Sequence, residues 1–168
     1  MSIEDTEEIV KGIFGMLFVQ AKYLERFIKS KNLSNLLELG FAHGVSSCYM
    51  ATILNECGEG HLISVSRRKP NIEGLLNKLD LQEFVSVYYG YGSYNWRLIK
   101  IIGENVEPIV DFCYIDGAHD WNVDGFAFLL VDKLLKSGGG IIFDDVYWSF
   151  GISPSLKDSN RVRKCLMM

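Results

Sequence analysis

Short apolar runs alternate with longer stretches of helical spacing through most of this chain. The runs that suit buried strands are residues 36–39, 62–65, 84–88, 112–115 and 140–143, and helical spacing occurs at 45–56, 72–79, 96–104 and 123–135. Strands that alternate with helices are typical of consecutive βαβ units, whose crossovers are right-handed. The pattern therefore predicts an α/β fold: a Rossmann-like, doubly wound and mostly parallel sheet with helices on both faces.

The first 31 residues carry a helical pattern of their own. Apolar residues recur near helical spacing from Ile9 to Phe27, with charged residues between them, and this favours one amphipathic helix that covers a face of the sheet. A helix on a membrane surface is the alternative, but the polar side carries about as many Glu as Lys. Residues 149–168 show no clear pattern. We expect one domain over residues 1–168, with the helix at 1–31, a Rossmann-like core at 35–148 and an irregular C-terminal segment at 149–168.

Composition narrows the range of functions. The 168 residues suit one domain, and the net charge of −4 argues against a dedicated nucleic-acid-binding protein. No apolar stretch approaches the roughly 20 residues that cross a bilayer, so we expect no membrane partner. The four cysteines include no C-x-x-C pair, which favours reduced thiols and a cytoplasmic location over disulfides or a zinc site.

The end of the first predicted strand combines an acid with two glycines. Ligands of open parallel sheets bind beyond the carboxyl ends of the strands, so these residues are candidates for a site. Gly40 would allow a sharp turn, and Gly44 would let the next helix pack closely and expose its N–H groups to an anion or carboxylate. Small residues in a G-x-x-x-G pattern also serve simple packing. Their place directly after an apolar run favours a nucleotide-type site.

Acidic residues follow the fourth and fifth predicted strands. Asp116 ends one strand, and Asp144 and Asp145 end the next. Carboxylates that converge are costly unless a cation neutralises them, and Mg²⁺ prefers oxygen ligands. Asp144 and Asp145 could equally cap turns, as Asp often does. His119 is a candidate general base or metal ligand, because the usual pKa of histidine lies near neutrality, and it could equally be an exposed loop residue.

Three motifs together resemble class I S-adenosylmethionine-dependent methyltransferases. They are Glu38-x-Gly40-x-x-x-Gly44, Tyr114-Ile-Asp116-Gly-Ala-His119 and Gly138-Gly-Gly-Ile-Ile-Phe-Asp144-Asp145. Within that superfamily the chain is most similar to the macrocin-type, magnesium-assisted small-molecule O-methyltransferases, over roughly residues 36–148. The resemblance implies a strand order of 3-2-1-4-5, S-adenosylmethionine and Mg²⁺ (or a related divalent cation) as cofactors, and a small hydroxylated molecule as the methyl acceptor.

The resemblance also implies roles for individual residues. His119 and Asp116 would be catalytic, with His119 helping to remove the hydroxyl proton. The implied metal ligands are Asp116, Asp144 and Asp145. The implied cofactor-binding residues are Glu38, Gly40, Phe41, Gly44, Ser46, Ser66, Tyr91 and Asp116.

The chain departs from the family pattern at several strand ends. The second strand runs into Ser66 and two arginines where an acid usually holds the ribose, and Ala118 stands where many relatives have another acid. These departures leave open a catalytically impaired binding or assembly protein with this fold. Arg67 and Arg68 could instead accommodate the 2′-phosphate of NADP. Few residues follow the fifth strand, so we expect the usual last two strands to be absent, through a shortened chain or with a homodimer covering the open edge.

Overall fold

Five strands form one parallel sheet in the part of the chain that the computed structural model describes, residues 1–67, 71–90 and 92–144. The strands are β1 (Asn35–Leu39), β2 (His61–Ser66), β3 (Val85–Tyr89), β4 (Val110–Ile115) and β5 (Leu135–Phe143). The helices are α1 (Ile3–Val10), α2 (Phe18–Lys31), α3 (Val45–Cys57), α4 (Ile72–Leu79), α5 (Asn95–Glu104) and α6 (Phe126–Leu134). The strand order is β3-β2-β1-β4-β5, which confirms the predicted fold class.

The register of the sheet brings four strand ends level. Leu39 of β1 pairs with Val65 of β2 and with Ile115 of β4, and Ile115 pairs with Phe143 of β5. All of these pairings are parallel, so the residues that follow each strand emerge at the same edge. This edge is where the fold can build a site.

Apolar side chains cover both faces of the sheet, as the alternation of a parallel strand requires. Leu36 and Phe112 point to the face packed by α1, α2, α3 and α4. Leu37 and Cys113, the next residues along β1 and β4, point to the face packed by α5 and α6. The predicted placement of helices on both faces is confirmed.

Two helices, α1 and α2, replace the one that the N-terminal spacing predicts. Ser2 and Asp5 form a capping box at the start of α1, in which the Ser2 N–H donates to Asp5 Oδ2 at 2.7 Å. The chain leaves the helical conformation at Lys11, the C-cap of α1; Gly12 follows with a φ of +83°, and α2 begins at Phe18. Both helices bury apolar residues on the same face of the sheet. The helical spacing of apolar residues therefore continues from α1 into α2 and does not show the break between them.

The segment between β4 and β5 also differs from its predicted boundaries. A π-helical turn, Trp121–Gly125, precedes α6, and β5 begins at Leu135, with an irregular register between Val110 and Phe112 of β4. The expected C-terminal segment and the expected absence of two last strands concern residues 145–168, which lie outside the described residues.

Two further expectations concern the cysteines and the membrane. Cys48, Cys57 and Cys113 are free thiols, and burial raises the pKa of the Cys113 thiol; Cys165 is not among the described residues. None of the helices within the described ranges is long and apolar enough to span a bilayer.

Candidate active site

A cleft of about 700 Å³ lies at the carboxyl edge of the sheet. We call it the main cleft. Its walls come from the loops that follow β1, β2, β4 and β5, and from the segment that links α1 to α2. Among its lining residues are Gly40, Ala42, Ser66, Arg67, residues 116–119 and Asp144, with residues 14–17 opposite them. The fold therefore gathers five predicted site positions around one cavity: Gly40, Ser66, Asp116, His119 and Asp144.

Gly40 marks the place where the loops after β1 and β4 cross. Its φ is +89°, a conformation that glycine adopts at little cost. The Gly40 N–H donates to the Val65 carbonyl at 2.8 Å, and the Asp116 N–H donates to the Leu39 carbonyl at 2.9 Å. A Cβ at position 40 would overlap the Asp116 carbonyl and lie 2.9 Å from the Gly117 Cα. Only glycine fits where the two loops pass.

Gly44 begins α3 in the left-handed conformation, with φ +89°. A Cβ there would lie 2.6 Å from Ile72 Cγ1, so the missing side chain lets α3 pack against the start of α4. This is the close packing that the sequence predicts. Gly44 lies behind the main cleft and does not line it.

Glu38 is buried beneath the main cleft, and its side chain has no exposed surface. Its carboxylate accepts hydrogen bonds from the hydroxyls of Ser46, Ser47 and Ser64. Burial raises the pKa of Glu38, and the three hydroxyls oppose that rise. This arrangement corrects the expectation that Glu38 and Ser46 line the cofactor site, because both fasten the start of α3 to β1 and β2.

Phe41 also lies below the surface of the main cleft. Its side chain is 1% exposed, and its ring packs edge-on against Tyr89, with 6.0 Å between the ring centroids. Phe41 therefore supports the loop after β1 from the core. Tyr91, predicted to contact the cofactor, lies outside the described residues.

Two carboxylates, those of Asp116 and Asp144, border the main cleft from neighbouring strand ends. The Asp144 N–H donates to the Ile115 carbonyl at 2.9 Å, which fixes this residue beside the end of β4. The Asp144 carboxylate accepts a hydrogen bond from the Tyr114 hydroxyl, and burial with this bond raises the pKa of Tyr114. Asp116 and Asp144 thus line the same cavity.

The predicted third carboxylate, Asp145, lies outside the described residues. Among residues 1–67, 71–90 and 92–144, no three His, Cys, Asp or Glu side chains are grouped so that they could hold a metal ion. Mg²⁺ often binds through one or two carboxylates and keeps several waters. The pair formed by Asp116 and Asp144 is compatible with that mode of binding.

His119 sits in a loop that Asp124 holds in place. The Asp124 carboxylate accepts the Ala118 N–H at 3.0 Å and the His119 N–H at 2.6 Å. The φ of His119 is +56°, an unusual conformation for a residue with a side chain. At Gly117 a Cβ would overlap the Tyr94 hydroxyl and the Asp124 carboxylate. The loop after β4 is therefore tightly specified where it borders the cleft.

A second pocket, of about 590 Å³, adjoins the main cleft. Gly117, His119 and Asp144 line both cavities. The remaining apolar wall is formed by Ile115 and three aromatic side chains, Trp121, Phe128 and Phe143. We call it the aromatic pocket. His119 and Asp144 thus stand at the boundary between two ligand-sized cavities.

Several residues of these cavities are missing from the sequence prediction. Asp124 falls inside the predicted helix at 123–135, where an acid is read as part of a solvated surface. Asp120, four residues earlier, accepts the Val123 N–H at 2.8 Å. An Asp at that position is the sequence signal of a capped turn before the helix. The wall formed by residues 14–17 depends on the break between α1 and α2. Gly12 and Gly15, which interrupt the helical pattern, are the sequence signal that could have found it.

Similarity to known proteins agrees with this geometry. The strand order and the position of the cleft define the Rossmann-like fold of class I S-adenosylmethionine-dependent methyltransferases. Residues 37–146 match the family described as Methyltransferase domain. The chain belongs to that family. No curated protein matches it.

Three solved structures illustrate the fold. A candidate caffeoyl-CoA O-methyltransferase from Staphylococcus aureus is 22% identical, with a TM-score of 0.72 over 99% of this chain and 78% of that chain. An O-methyltransferase from Bacillus cereus in complex with SAH is 21% identical, with a TM-score of 0.70 over 98% and 76%. TomG from Streptomyces achromogenes, an O-methyltransferase of tomaymycin synthesis in complex with SAM, is 15% identical, with a TM-score of 0.68 over 98% and 77%.

Family membership also bears on the NADP alternative. Arg67 does line the main cleft, and Arg68 lies outside the described residues. The match to a methyltransferase family favours a methyl donor over a dinucleotide in this cleft.

Proposed function

We propose that this chain transfers a methyl group from S-adenosylmethionine to a hydroxyl group of a small molecule, with the cofactor in the main cleft. The observation that carries the proposal is the position of that cleft. It opens at the carboxyl edge of the sheet, between the Gly40 turn and the loops after β2 and β4, where ligands of open α/β sheets bind. The solved O-methyltransferases with this fold support the choice of reaction.

The lining of the main cleft suits a nucleoside joined to an amino acid. Ser66 ends β2 and lines the cleft, with 5% of its surface exposed, and we assign its hydroxyl one hydrogen bond to a ribose. Asp116 follows β4 and lines the cleft on the other side of the Gly40 turn, because β1 lies between β2 and β4. The polar groups of the cleft therefore stand on two sides of a cavity large enough for the cofactor.

S-adenosylmethionine supplies an electrophilic methyl group, so that a lone pair of the acceptor oxygen forms the new C–O bond while the C–S bond breaks and its electrons remain on sulfur. The chain itself has to align the acceptor and remove one proton. His119 lines both cavities, and its imidazole is the group we assign to take that proton. Asp124 keeps His119 at the boundary through the His119 N–H.

Metal assistance is the finer part of the proposal, together with the likeness to macrocin-type enzymes. Asp116 and Asp144 would hold a divalent cation from adjacent strand ends, and Asp145 is the next residue in the chain. A bound Mg²⁺ would lower the pKa of an acceptor hydroxyl and orient it. The Tyr114 hydroxyl donates to Asp144 and so would fix the direction of that carboxylate.

Calorimetric titration with S-adenosylmethionine and S-adenosylhomocysteine tests the proposal. We expect both to bind and to raise the unfolding temperature. Ser66→Ala removes one hydrogen bond, for a loss of roughly two- to tenfold in affinity. Ser30→Ala on the exposed side of α2 is the matched control and should change nothing. Binding of neither compound would favour the catalytically impaired alternative, and tight binding of NADPH would favour the dinucleotide alternative.

A further inference from the structure

The aromatic pocket exposes apolar ring surface on three of its lining side chains. The Trp121 side chain is 85% exposed, Phe128 is 42% exposed and Phe143 is 39% exposed. The Phe128 and Phe143 rings pack at a tilt, with 5.9 Å between their centroids. Contiguous exposed apolar surface marks ligand sites, and rings prefer to pack against rings. The wall of this pocket therefore suits a flat, ring-containing ligand.

Apart from His119, the titratable side chains among the described residues that line the pocket are acidic. Three carboxylates line it, those of Asp120, Asp124 and Asp144. Of the described residues that line it, none is a lysine or an arginine. In the metal-free protein these carboxylates would repel a negatively charged ligand, whereas they would attract a positively charged ligand and would not repel a neutral one.

The aromatic pocket is joined to the main cleft where transfer would have to occur. Gly117, His119 and Asp144 form the shared boundary. A ring seated against Phe128 and Phe143 would present a hydroxyl substituent toward His119 from the side opposite the cofactor. The two cavities thus suit the two reactants of one transfer.

We propose that the aromatic pocket binds the methyl acceptor and that the acceptor is an uncharged or cationic hydroxylated aromatic molecule rather than an anionic one. This inference rests on the proposed function. The inference adds a preference for the charge of the acceptor, because acidic residues stand beside the aromatic wall of the pocket. Carboxylated or phosphorylated acceptors are then the disfavoured class.

Three catechols that differ in charge test the preference. Catechol is neutral, dopamine is cationic and 3,4-dihydroxybenzoate is anionic at neutral pH, and all three carry the same vicinal diol. A Mg²⁺ ion on Asp144 would attract the anionic probe more than the others, so the titrations are made without the metal. With the protein saturated with S-adenosylhomocysteine and free of Mg²⁺, we expect catechol and dopamine to bind about tenfold more tightly than 3,4-dihydroxybenzoate, as charge repulsion in a partly dry pocket requires.

Two variants separate the ring contact from the charge effect. Phe128→Ala should weaken all three probes by about tenfold, because it removes buried ring contact. Trp96→Ala removes another exposed ring, 69% exposed on α5 and outside the pocket, and should weaken none. Asp120→Asn keeps an oxygen to accept the Val123 N–H while removing a charge, so it should narrow the gap between catechol and 3,4-dihydroxybenzoate by roughly threefold.

The outcomes distinguish this inference from the proposed function. Protein that fails to bind S-adenosylhomocysteine contradicts the proposed function before any catechol is added. Protein that binds it, yet prefers 3,4-dihydroxybenzoate or binds the three probes equally, overturns the charge preference alone. If neither Phe128→Ala nor Asp120→Asn changes the affinity for any probe, the aromatic pocket is not the acceptor site.

Discussion

Replacing Gly40 with alanine tests the crossing of the loops after β1 and β4. Gly58 provides a matched control, because its φ is +76° and a Cβ there would have no atom within 4 Å. Gly40 has a φ of +89°, and its Cβ would lie 2.8 Å from the Asp116 carbonyl carbon. Both variants place alanine in the left-handed conformation, but only Gly40→Ala also forces two backbone segments apart.

The two costs can be estimated separately. The left-handed conformation costs an alanine roughly 1–2 kcal/mol, and this is all that we expect Gly58→Ala to lose. Steric overpacking adds about 1–3 kcal/mol, so Gly40→Ala should lose roughly 2–5 kcal/mol in total. The overlap at Gly40 is with backbone, which cannot rotate away as a flexible side chain could. The expected difference between the variants is therefore about 1–3 kcal/mol.

Urea unfolding of both variants measures the free energies, and titration with S-adenosylhomocysteine measures the consequence for the cleft. Gly40→Ala should bind the compound at least tenfold more weakly, since Asp116 has to move. Gly58→Ala should bind it as the unsubstituted protein does. Equal destabilisation of the two variants, or normal binding by Gly40→Ala, would refute the reasoning.

Three further predictions follow from the described contacts. Asp124→Asn leaves one carbonyl oxygen for two N–H donors, so ligand binding beside His119 should weaken by about tenfold, as calorimetry can measure. Unaltered binding would count against the role of the Asp124 carboxylate. Asp144→Asn should lower Mg²⁺ affinity, measured by titration with the metal, yet leave S-adenosylhomocysteine affinity within about twofold; equal Mg²⁺ affinity would sink the metal assignment. Burial would raise the pKa of Asp111, but Lys136, the Asn35 side chain and backbone N–H groups outweigh burial and lower that pKa to about 2 from 3.8. The contribution of roughly 1–2 kcal/mol is therefore present above pH 3.8 and is lost as pH falls toward 2. Asp111→Asn should therefore remove stability at pH 6 but little at pH 2, as acid unfolding curves can check.

Much of the fold was predictable because the central strands are apolar on both faces. Residues such as Leu36, Leu37 and Phe112 leave no other secondary structure that would bury them all. The residues at which helices and strands begin and end were harder to predict. The break after α1 is invisible to periodicity, because α2 continues on the same face of the sheet.

The strand ends that build the site were predictable from the sequence, but the burial of each side chain at those ends was not. Period-two alternation places Glu38 on the same face as Leu36, inside the sheet, although an acid before a glycine suggests a ligand contact. Ser64 shares that face, and the three serine hydroxyls make the buried carboxylate tolerable. Residues 14–17 and Asp124 reach the cavities only through tertiary structure, which no local pattern contains.

The most direct test of the central claim is a crystal structure with S-adenosylhomocysteine and Mg²⁺ bound. The account predicts that the thioether compound lies in the main cleft, against Gly40 and Ser66, with its sulfur facing His119 and the aromatic pocket. A compound bound on another surface, or a main cleft that stays closed at saturating concentration, would contradict it.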